Sequence, residues 1–388
     1  MLVKKREKNE NPTILKMKQV KEWNVCVIDE VHKLPAKSFQ NVLKQFKFHF
    51  KLGLTATPYR EDDKIHNLFY MIGPKLYEEN WLDLVNQGFL AKPYCIEMRC
   101  EMSKIFEEEY KGKKGQQREL IHTSNPIKFR ALQYLIKVHE ERGDKILVFC
   151  DRPKVIEEYG EKLKYPCIHG KISQDERKKI FTYFKTGNQI NTIFLSRVGD
   201  TAIDLPAANV GIQIGVHFGS RRQEVQRLGR IMRAKENPSG GYNAFWYTLI
   251  SQNTDETKYC WGRQKCLIDQ GFNYEIVNEI NMPYNVNPQR YKWIQNIDEK
   301  EYLFSILLQQ QESKFDIIQK QKNKKQNGDS SSLSSFVSES SSSDEGEQQN
   351  DDNLYSVEKN KGFNHVPGQE VQPFLDFGQK KDINIQQQ

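Results

Sequence analysis

The chain's first candidates for chemistry are two carboxylates at the end of an apolar run. Val25 to Asp29 reads VCVID, and Glu30, Val31 and His32 follow directly. A parallel strand delivers its last side chains to the C-terminal edge of its sheet, where open α/β folds bind ligands. At such an edge one carboxylate can hold Mg2+ and the next can orient or deprotonate an attacking water. Taken alone, Asp29 and Glu30 also read as a solvated loop start. A second apolar run, FKLGLTAT from Phe50 to Thr57, ends in hydroxyls. Thr55 and Thr57 are placed to hydrogen-bond the His32 ring or the carboxylates, or simply to enter a turn opened by Pro58.

A third set is basic. In RRQEVQRLGRIMR, Arg227, Arg230 and Arg233 recur every three residues. Helical spacing would put them on one face, which repels itself unless an anion is received there. Planar guanidinium groups hold phosphate oxygens bidentately, and Gly229 would let backbone come close. A solvated basic face or a phosphodiester-binding stripe is the alternative. Upstream, SRVGDTAIDLP follows the run TIFLS. Its small residues and hydroxyls (Ser196, Gly199, Thr201) suit a nucleic-acid backbone and Asp204 suits a ribose hydroxyl, with a plain loop as the other reading.

The elements that must position these groups alternate. Short apolar strands and amphipathic helices follow one another up to about residue 300, the pattern of a mostly parallel α/β sheet. After VCVID and FKLGLTAT come KILVFC (Lys145 to Cys150), TIFLS (Thr192 to Ser196) and VGIQIG (Val210 to Gly215). Helical spacing is expected over Ser38 to Phe50, Phe129 to Glu141 and Asp175 to Gly187. A junction falls near Gly88 to Pro93, followed by a charged, irregular stretch that includes Glu107 to Arg118. The expected division is 1–90, 91–280 and a tail over 281–388. The tail carries a Gln/Lys/Asn-rich run and a Ser-rich acidic block, Asp329 to Asp352, too poor in apolar residues to offset the entropy of ordering.

A net charge of +7 over 388 residues suits a polyanion without establishing one. The seven cysteines contain no CxxC pair, which removes the usual zinc spacing and a dense disulfide framework. No apolar run approaches the ~20 residues of a membrane helix, and the basic N-terminus has no apolar core behind it. No membrane partner is expected.

DEVH, TAT, VGDTAIDLP and QRLGRIMR occur in that order at domain-scale separations. They resemble motifs II, III, V and VI of superfamily 2 helicases. FKLGLTAT, REDDKI, IGPKLYEENW, GSRRQEVQRLGR and YNAFWYTLISQ are similar to the XPB branch of that superfamily, from Met1 to about Gly271. The resemblance implies an α/β protein of two RecA-like domains with parallel sheets, the first incomplete, ahead of a disordered tail. It implies ATP bound between the domains with Mg2+ on Asp29, and a water activated by Glu30. His32, Thr55 and Thr57 would couple hydrolysis to motion. Arg230 and Arg233 would be arginine fingers, with Gln226, Arg227, Gly229 and Asp204 lining the nucleotide site. Arg60, Glu61 and Asp62, the RED element, would join Ser196, Gly199 and Thr201 on DNA. Ala202 stands where motif V normally has glycine. The implied activity is that of an ATP-dependent 3′–5′ DNA helicase or translocase of TFIIH. Its setting would be nuclear, among other TFIIH subunits, in promoter opening and nucleotide excision repair.

One half of the expected pocket is absent from these residues. No segment matches GxxxxGK[ST], whose backbone amides and lysine grip phosphates. His169-Gly170-Lys171-Ile172-Ser173 comes nearest and lacks the spacing. The expectation is a chain truncated ahead of DEVH and inactive as an ATPase by itself. The alternative is a non-hydrolysing DNA- or partner-binding module.

Overall fold

The computed structural model describes residues 16, 17, 19, 20, 22–56, 66–186, 190–197, 208–216, 221–234 and 241–308. All of them lie in one compact unit, Met1–Asp316. Thr57, Arg60, Glu61, Asp62, Gly199, Thr201, Asp204 and the tail from 309 onward lie outside the described residues.

Among the described residues there are two sheets, and every strand pair in them is parallel. The smaller joins β1 (Trp23–Ile28) to β2 (Phe48–Gly53) through α1 (Lys37–Leu43). The expected helix over Ser38 to Phe50 is thus a short helix running into a strand. α2 (His66–Met71) and α3 (Trp81–Asn86) follow. The larger sheet has the order β5-β6-β4-β7-β8-β3-β9. Its strands are β3 (Pro93–Cys100), β4 (Ile146–Phe149), β5 (Cys167–Ile168), β6 (Thr192–Leu195), β7 (Val210–Ile214), β8 (Ala244–Ser251) and β9 (Asn273–Asn278). Between them run α4 (Lys104–Gly112), α5 (Gly115–Thr123), α6 (Pro126–Glu141), α7 (Pro153–Leu163), α8 (Gln174–Thr186), α9 (Arg221–Ile231) and α10 (Asp255–Asp269).

The interior strands read ILVF, TIFL, VGIQI and AFWYTLIS and are buried at every position, as parallel strands covered on both faces must be. α6 shows how local sequence fixes the intervening helices. Asn125 caps it by accepting the Ile127 N–H at 3.0 Å and Pro126 fills the first turn, both preferred there. Its apolar stripe buries Phe129, Leu132, Leu135 and Ile136. Gly143 ends it with φ of 79°, a conformation that L side chains rarely adopt. At Gly211 an added Cβ would lie 2.4 Å from the Trp246 ring, so the β7–β8 pair packs around that indole only because the position is bare.

Three expectations are corrected here. The stretch after residue 93 is not irregular, since β3 runs through the sheet between β8 and β9 and α4 and α5 cover Glu107 to Arg118. Glu97 and Arg99 interrupt the apolar pattern of β3, but buried Glu97 accepts from Arg99 Nε and from Tyr274 OH at 2.8 Å each, which satisfies the carboxylate inside the sheet. Trp81, Val85 and Leu90 pack against the core of the larger sheet, so α3 rides with that sheet although it precedes residue 90. Finally, ordered structure passes residue 281: a helical segment covers 299–308, and Tyr284, Ile294, Tyr302 and Ile306 are buried. All seven cysteines are free thiols.

Candidate nucleotide and nucleic-acid site

β1 ends at Ile28, and its next two residues are the carboxylates Asp29 and Glu30. Asp29 Oδ1 accepts the Glu30 N–H at 2.8 Å. Glu30 holds a left-handed backbone, φ 51° and ψ 45°, which for a residue other than glycine costs about 1–3 kcal/mol and persists only where the surroundings enforce it. The surroundings do so. Val31 N–H donates to Leu54 O at 3.0 Å and Leu54 N–H to Ile28 O at 2.9 Å, tying the turn to the end of β2. Val31 also packs over Gly53, where an added Cβ would stand 2.7 Å from the Val31 side chain.

His32 is fully buried. Its Nδ1 lies 2.8 Å from Thr55 Oγ1 and 3.2 Å from Glu30 Oε2. The end of β1 and the end of β2 are thus joined through one imidazole, the link expected between those two segments.

The larger sheet supplies the facing wall through α9. Gln226 Nε2 donates to Glu30 Oε1 at 3.3 Å. Arg230 lies one turn on, on the same stripe of the helix, and is half-buried. The expected single face of three arginines is not formed. α9 stops at Ile231, and Arg233 sits beyond it in an antiparallel bridge with Leu90. Arg227 belongs to a different stripe, shared with Gln223. It is 2% exposed, its Nη2 is 2.5 Å from Asp151 Oδ1, and its guanidinium lies over the Phe149 ring at 5.1 Å. It faces the edge of its own sheet rather than Glu30. At Gly229 an added Cβ would meet, among the described residues, Trp81 at 3.9 Å, an ordinary van der Waals separation.

Among the residues expected on DNA, Ser196 is described and is buried, 3% exposed, so it is not displayed as a backbone contact. Its neighbour Arg197 is 61% exposed.

Two anchoring carboxylates escaped the sequence reading. Asp151 follows KILVFC as Asp29 follows VCVI, so the same signal was present there. Glu224, inside the arginine string, accepts from Trp246 Nε1 at 3.2 Å and Thr248 Oγ1 at 3.4 Å and faces Arg263 Nε at 3.5 Å, which ties α9 to β8 and α10. A further buried cluster supports the end of β7. Glu256 accepts from Val216 N–H and Ser251 N–H at 2.7 Å each, and its carboxylate meets Lys128 Nζ at 2.5 Å and His122 Nδ1 at 3.2 Å. Burial alone would raise its pKa, but the Lys128 and His122 charges outweigh it and hold the carboxyl at about 2. Burial pushes the Cys150 thiol, beside Asp151, up to about 12.

Among the described residues no group of three or more His, Cys, Asp or Glu forms a metal cage. Mg2+ does not need one, since it is commonly bound through one or two carboxylates together with waters and substrate phosphates. Asp29 is exposed, and with one oxygen taken by the Glu30 N–H it keeps a hard oxygen for such an ion. The donor chemistry fits.

Comparison with known proteins places the chain in a family. Residues 84–335 match the family described as ERCC3/RAD25/XPB C-terminal helicase, and residues 3–60 match the type III restriction enzyme res subunit. The chain is 50% identical over 268 residues to the general transcription and DNA repair factor IIH helicase/translocase subunit XPB of Danio rerio, covering 69% of this chain and 34% of the relative. Identity to the Drosophila melanogaster subunit is 51% over 263 residues, covering 68% and 33%. Identity to XPB/SSL2 of Saccharomyces cerevisiae is 46% over 293 residues, covering 76% and 34%. The chain thus spans about a third of the length of these relatives. In fold it is similar to a fragment of a putative HsdR subunit of a type I restriction enzyme from Vibrio vulnificus, with a TM-score of 0.51 at 17% identity over 69% of this chain and 51% of that one. No helix among the described residues is long and apolar enough to cross a membrane.

Proposed function

This chain belongs to the ERCC3/RAD25/XPB C-terminal helicase family, and on that premise we propose that it is the motor portion of an ATP-dependent 3′–5′ DNA helicase or translocase of the TFIIH type. Promoter opening and nucleotide excision repair would be its settings, the nucleus its compartment, and DNA and other TFIIH subunits its partners.

The observation that carries the reading is the Gln226–Glu30 hydrogen bond, which brings the carboxylate edge of one parallel sheet against the arginine-bearing helix of the other. A nucleotide site between two sheets needs that juxtaposition. Glu30 orients and deprotonates the attacking water, and its strained backbone fixes where the carboxylate points. Asp29 would hold Mg2+, which would supply charge neutralisation on the phosphates. Arg230 and Arg233 meet negative charge that builds up in the transition state. His32, through Thr55, relates the state of Glu30 to the position of β2. The phosphate-gripping loop is not among these 388 residues, so the reading assigns that role to a separate segment.

The test is DNA-stimulated ATP hydrolysis by a chimera in which a superfamily 2 relative supplies the GxxxxGK[ST] segment ahead of this chain. Hydrolysis that is stimulated by duplex DNA and collapses in Arg230→Ala supports the reading. Hydrolysis indifferent to Arg230 contradicts it.

A further inference from the structure

The segment between the two sheets does more than span them. The string IGPKLYEENW ends on Trp81, the first residue of α3. Asn80 caps that helix, its Oδ1 accepting the Leu82 N–H at 2.8 Å. At the other end the chain reverses at Gly88, φ 80°. The Phe89 and Leu90 N–H groups both return to Leu84 O, at 2.9 and 3.3 Å, so α3 and Leu90 form one locally closed piece. The Trp81 indole meets the Phe272 ring edge-on at a centroid separation of 5.7 Å. Its far edge lies 3.9 Å from where a Cβ would stand on Gly229, in α9, and Leu82 beside it rests on Gly271. Trp81, Val85 and Leu90 pack on the core cluster that contains Leu228, Ile231 and Met232. The closed piece then delivers Ala91, whose N–H donates to Met232 O at 2.8 Å, while Leu90 bridges Arg233.

We propose that Trp81 is a positioning residue for Arg233. The proposal rests on the reading of this chain as an ATP-driven motor in which Arg233 meets the nucleotide. Arg233 stands past the end of α9. Its backbone is held by the Leu90 bridge and the adjoining Ala91–Met232 bond rather than by a further helical turn. Trp81 sets that clasp by wedging between α9 and the turn that leads into β9. An indole suits the task, being large, rigid and governed by two torsions. Misplacement by about 1 Å, caused far from the chemistry, can cost about 10²-fold in rate. A side chain remote from the phosphates therefore governs turnover and leaves nucleotide binding alone.

Two measurements test it. In the full 388-residue chain, amide hydrogen exchange reads the clasp directly. Trp81→Ala is expected to speed exchange at Ala91 at least about tenfold, while β4 and β6 exchange as in the parent. In the chimera, Trp81→Ala is expected to lower kcat for DNA-stimulated hydrolysis about 10²-fold, with KM for ATP within about twofold. Trp81→Phe is expected to regain at least half of that loss on a logarithmic scale. Both changes act through one guanidinium, so Arg233→Ala is expected to cost about tenfold in the Trp81→Ala background against about 10³-fold in the parent. Parental exchange at Ala91, or a kcat effect fully additive with Arg233→Ala, overturns the proposal. So does an unchanged kcat in a folded Trp81→Ala variant. If Trp81→Ala does not fold, Trp81→Leu carries the same readings, since it stays apolar but falls short of Gly229. A parent chimera without DNA-stimulated hydrolysis overturns the motor reading and the role of Trp81 with it. That result is distinct from a parent that turns over ATP and a variant that matches it.

Discussion

Gln226 and Glu30 stand 196 positions apart in the chain, yet Gln226 Nε2 donates to Glu30 Oε1 at 3.3 Å. The carboxylate proposed to handle water is therefore flanked on both sides, with His32 Nδ1 3.2 Å away in its own sheet and the Gln226 amide bonded to it across the cleft. Replacing the amide by a second carboxylate sets like charges against each other and disfavours ionised Glu30. Gln226→Glu in the chimera is expected to lower DNA-stimulated ATPase about tenfold, because the hydrogen bond that positions Glu30 is replaced by repulsion and about 1.4 kcal/mol of lost transition-state stabilisation is a factor of ten in rate. Urea unfolding should change by under about 1 kcal/mol, as for a partly exposed polar substitution. A steady-state assay at saturating DNA, paired with an unfolding curve, checks both.

The buried pair Lys128–Glu256 makes a prediction about stability. Both side chains are fully buried, and removing one partner strands the other charge. Lys128→Met is expected to destabilise the chain by about 3–5 kcal/mol in urea denaturation, the usual cost of breaking a buried pair. The pH dependence follows from the Glu256 carboxyl, held at about 2 in the fold against about 4.3 in an unfolded chain. A depressed carboxyl contributes stability that is fully present above the unfolded value and is lost as pH falls from there toward 2. The parent should therefore lose stability steeply below about pH 4.5, and Glu256→Gln should flatten that limb while lowering the plateau at neutral pH.

Two glycines should behave oppositely. At Gly211 an added Cβ would stand 2.4 Å from the Trp246 ring, whereas at Gly229 the nearest described side chain, Trp81, would be 3.9 Å away. Gly211→Ala is expected to cost about 1–3 kcal/mol or more by overpacking. Gly229→Ala, inside α9, should be neutral or stabilising by up to about 1 kcal/mol, as alanine is in a helix. Thermal unfolding of the two variants side by side distinguishes them, and loss of ATPase in a stable Gly229→Ala chimera would mark that glycine as functional rather than structural.

Much of this arrangement was legible in the residues. Runs such as ILVF, TIFL and VGIQI declare buried parallel strands because nothing polar interrupts them, and the His32–Thr55 link followed from two strand ends carrying complementary groups. β3 was hidden because Glu97 and Arg99 break its apolar pattern, and only their pairing in three dimensions makes the strand buriable. The extent of the packed chain was likewise misjudged, because Tyr284 and Tyr302 are too widely spaced to read as a core in a polar segment. The arginines were legible as a set but not as individuals. Spacing alone could not show that α9 ends at Ile231, leaving Arg233 outside the helix, or that Asp151 would draw Arg227 to another face.

Arg233 therefore gives a sharper test than spacing did. It is exposed, beyond the helix end, where either a nucleotide phosphate or a DNA phosphate would suit it. The account assigns the nucleotide. Arg233→Ala in the chimera is expected to leave the salt slope of DNA affinity at the parent value and to cut hydrolysis about 10³-fold, as for loss of an arginine finger. A slope reduced by about one counterion with hydrolysis intact would place Arg233 in the DNA groove.

The most direct measurement is single-turnover ATP hydrolysis by the chimera carrying Glu30→Gln, together with binding of a fluorescent ATP analogue. The amide keeps the shape and the Gln226 contact but cannot accept a proton from water. The account predicts nucleotide affinity within about twofold of the parent, and hydrolysis slower by about 10²-fold or more, as expected for loss of a general base. Hydrolysis at the parental rate would contradict the assignment of Glu30 and, with it, the cleft that Glu30 and Gln226 define.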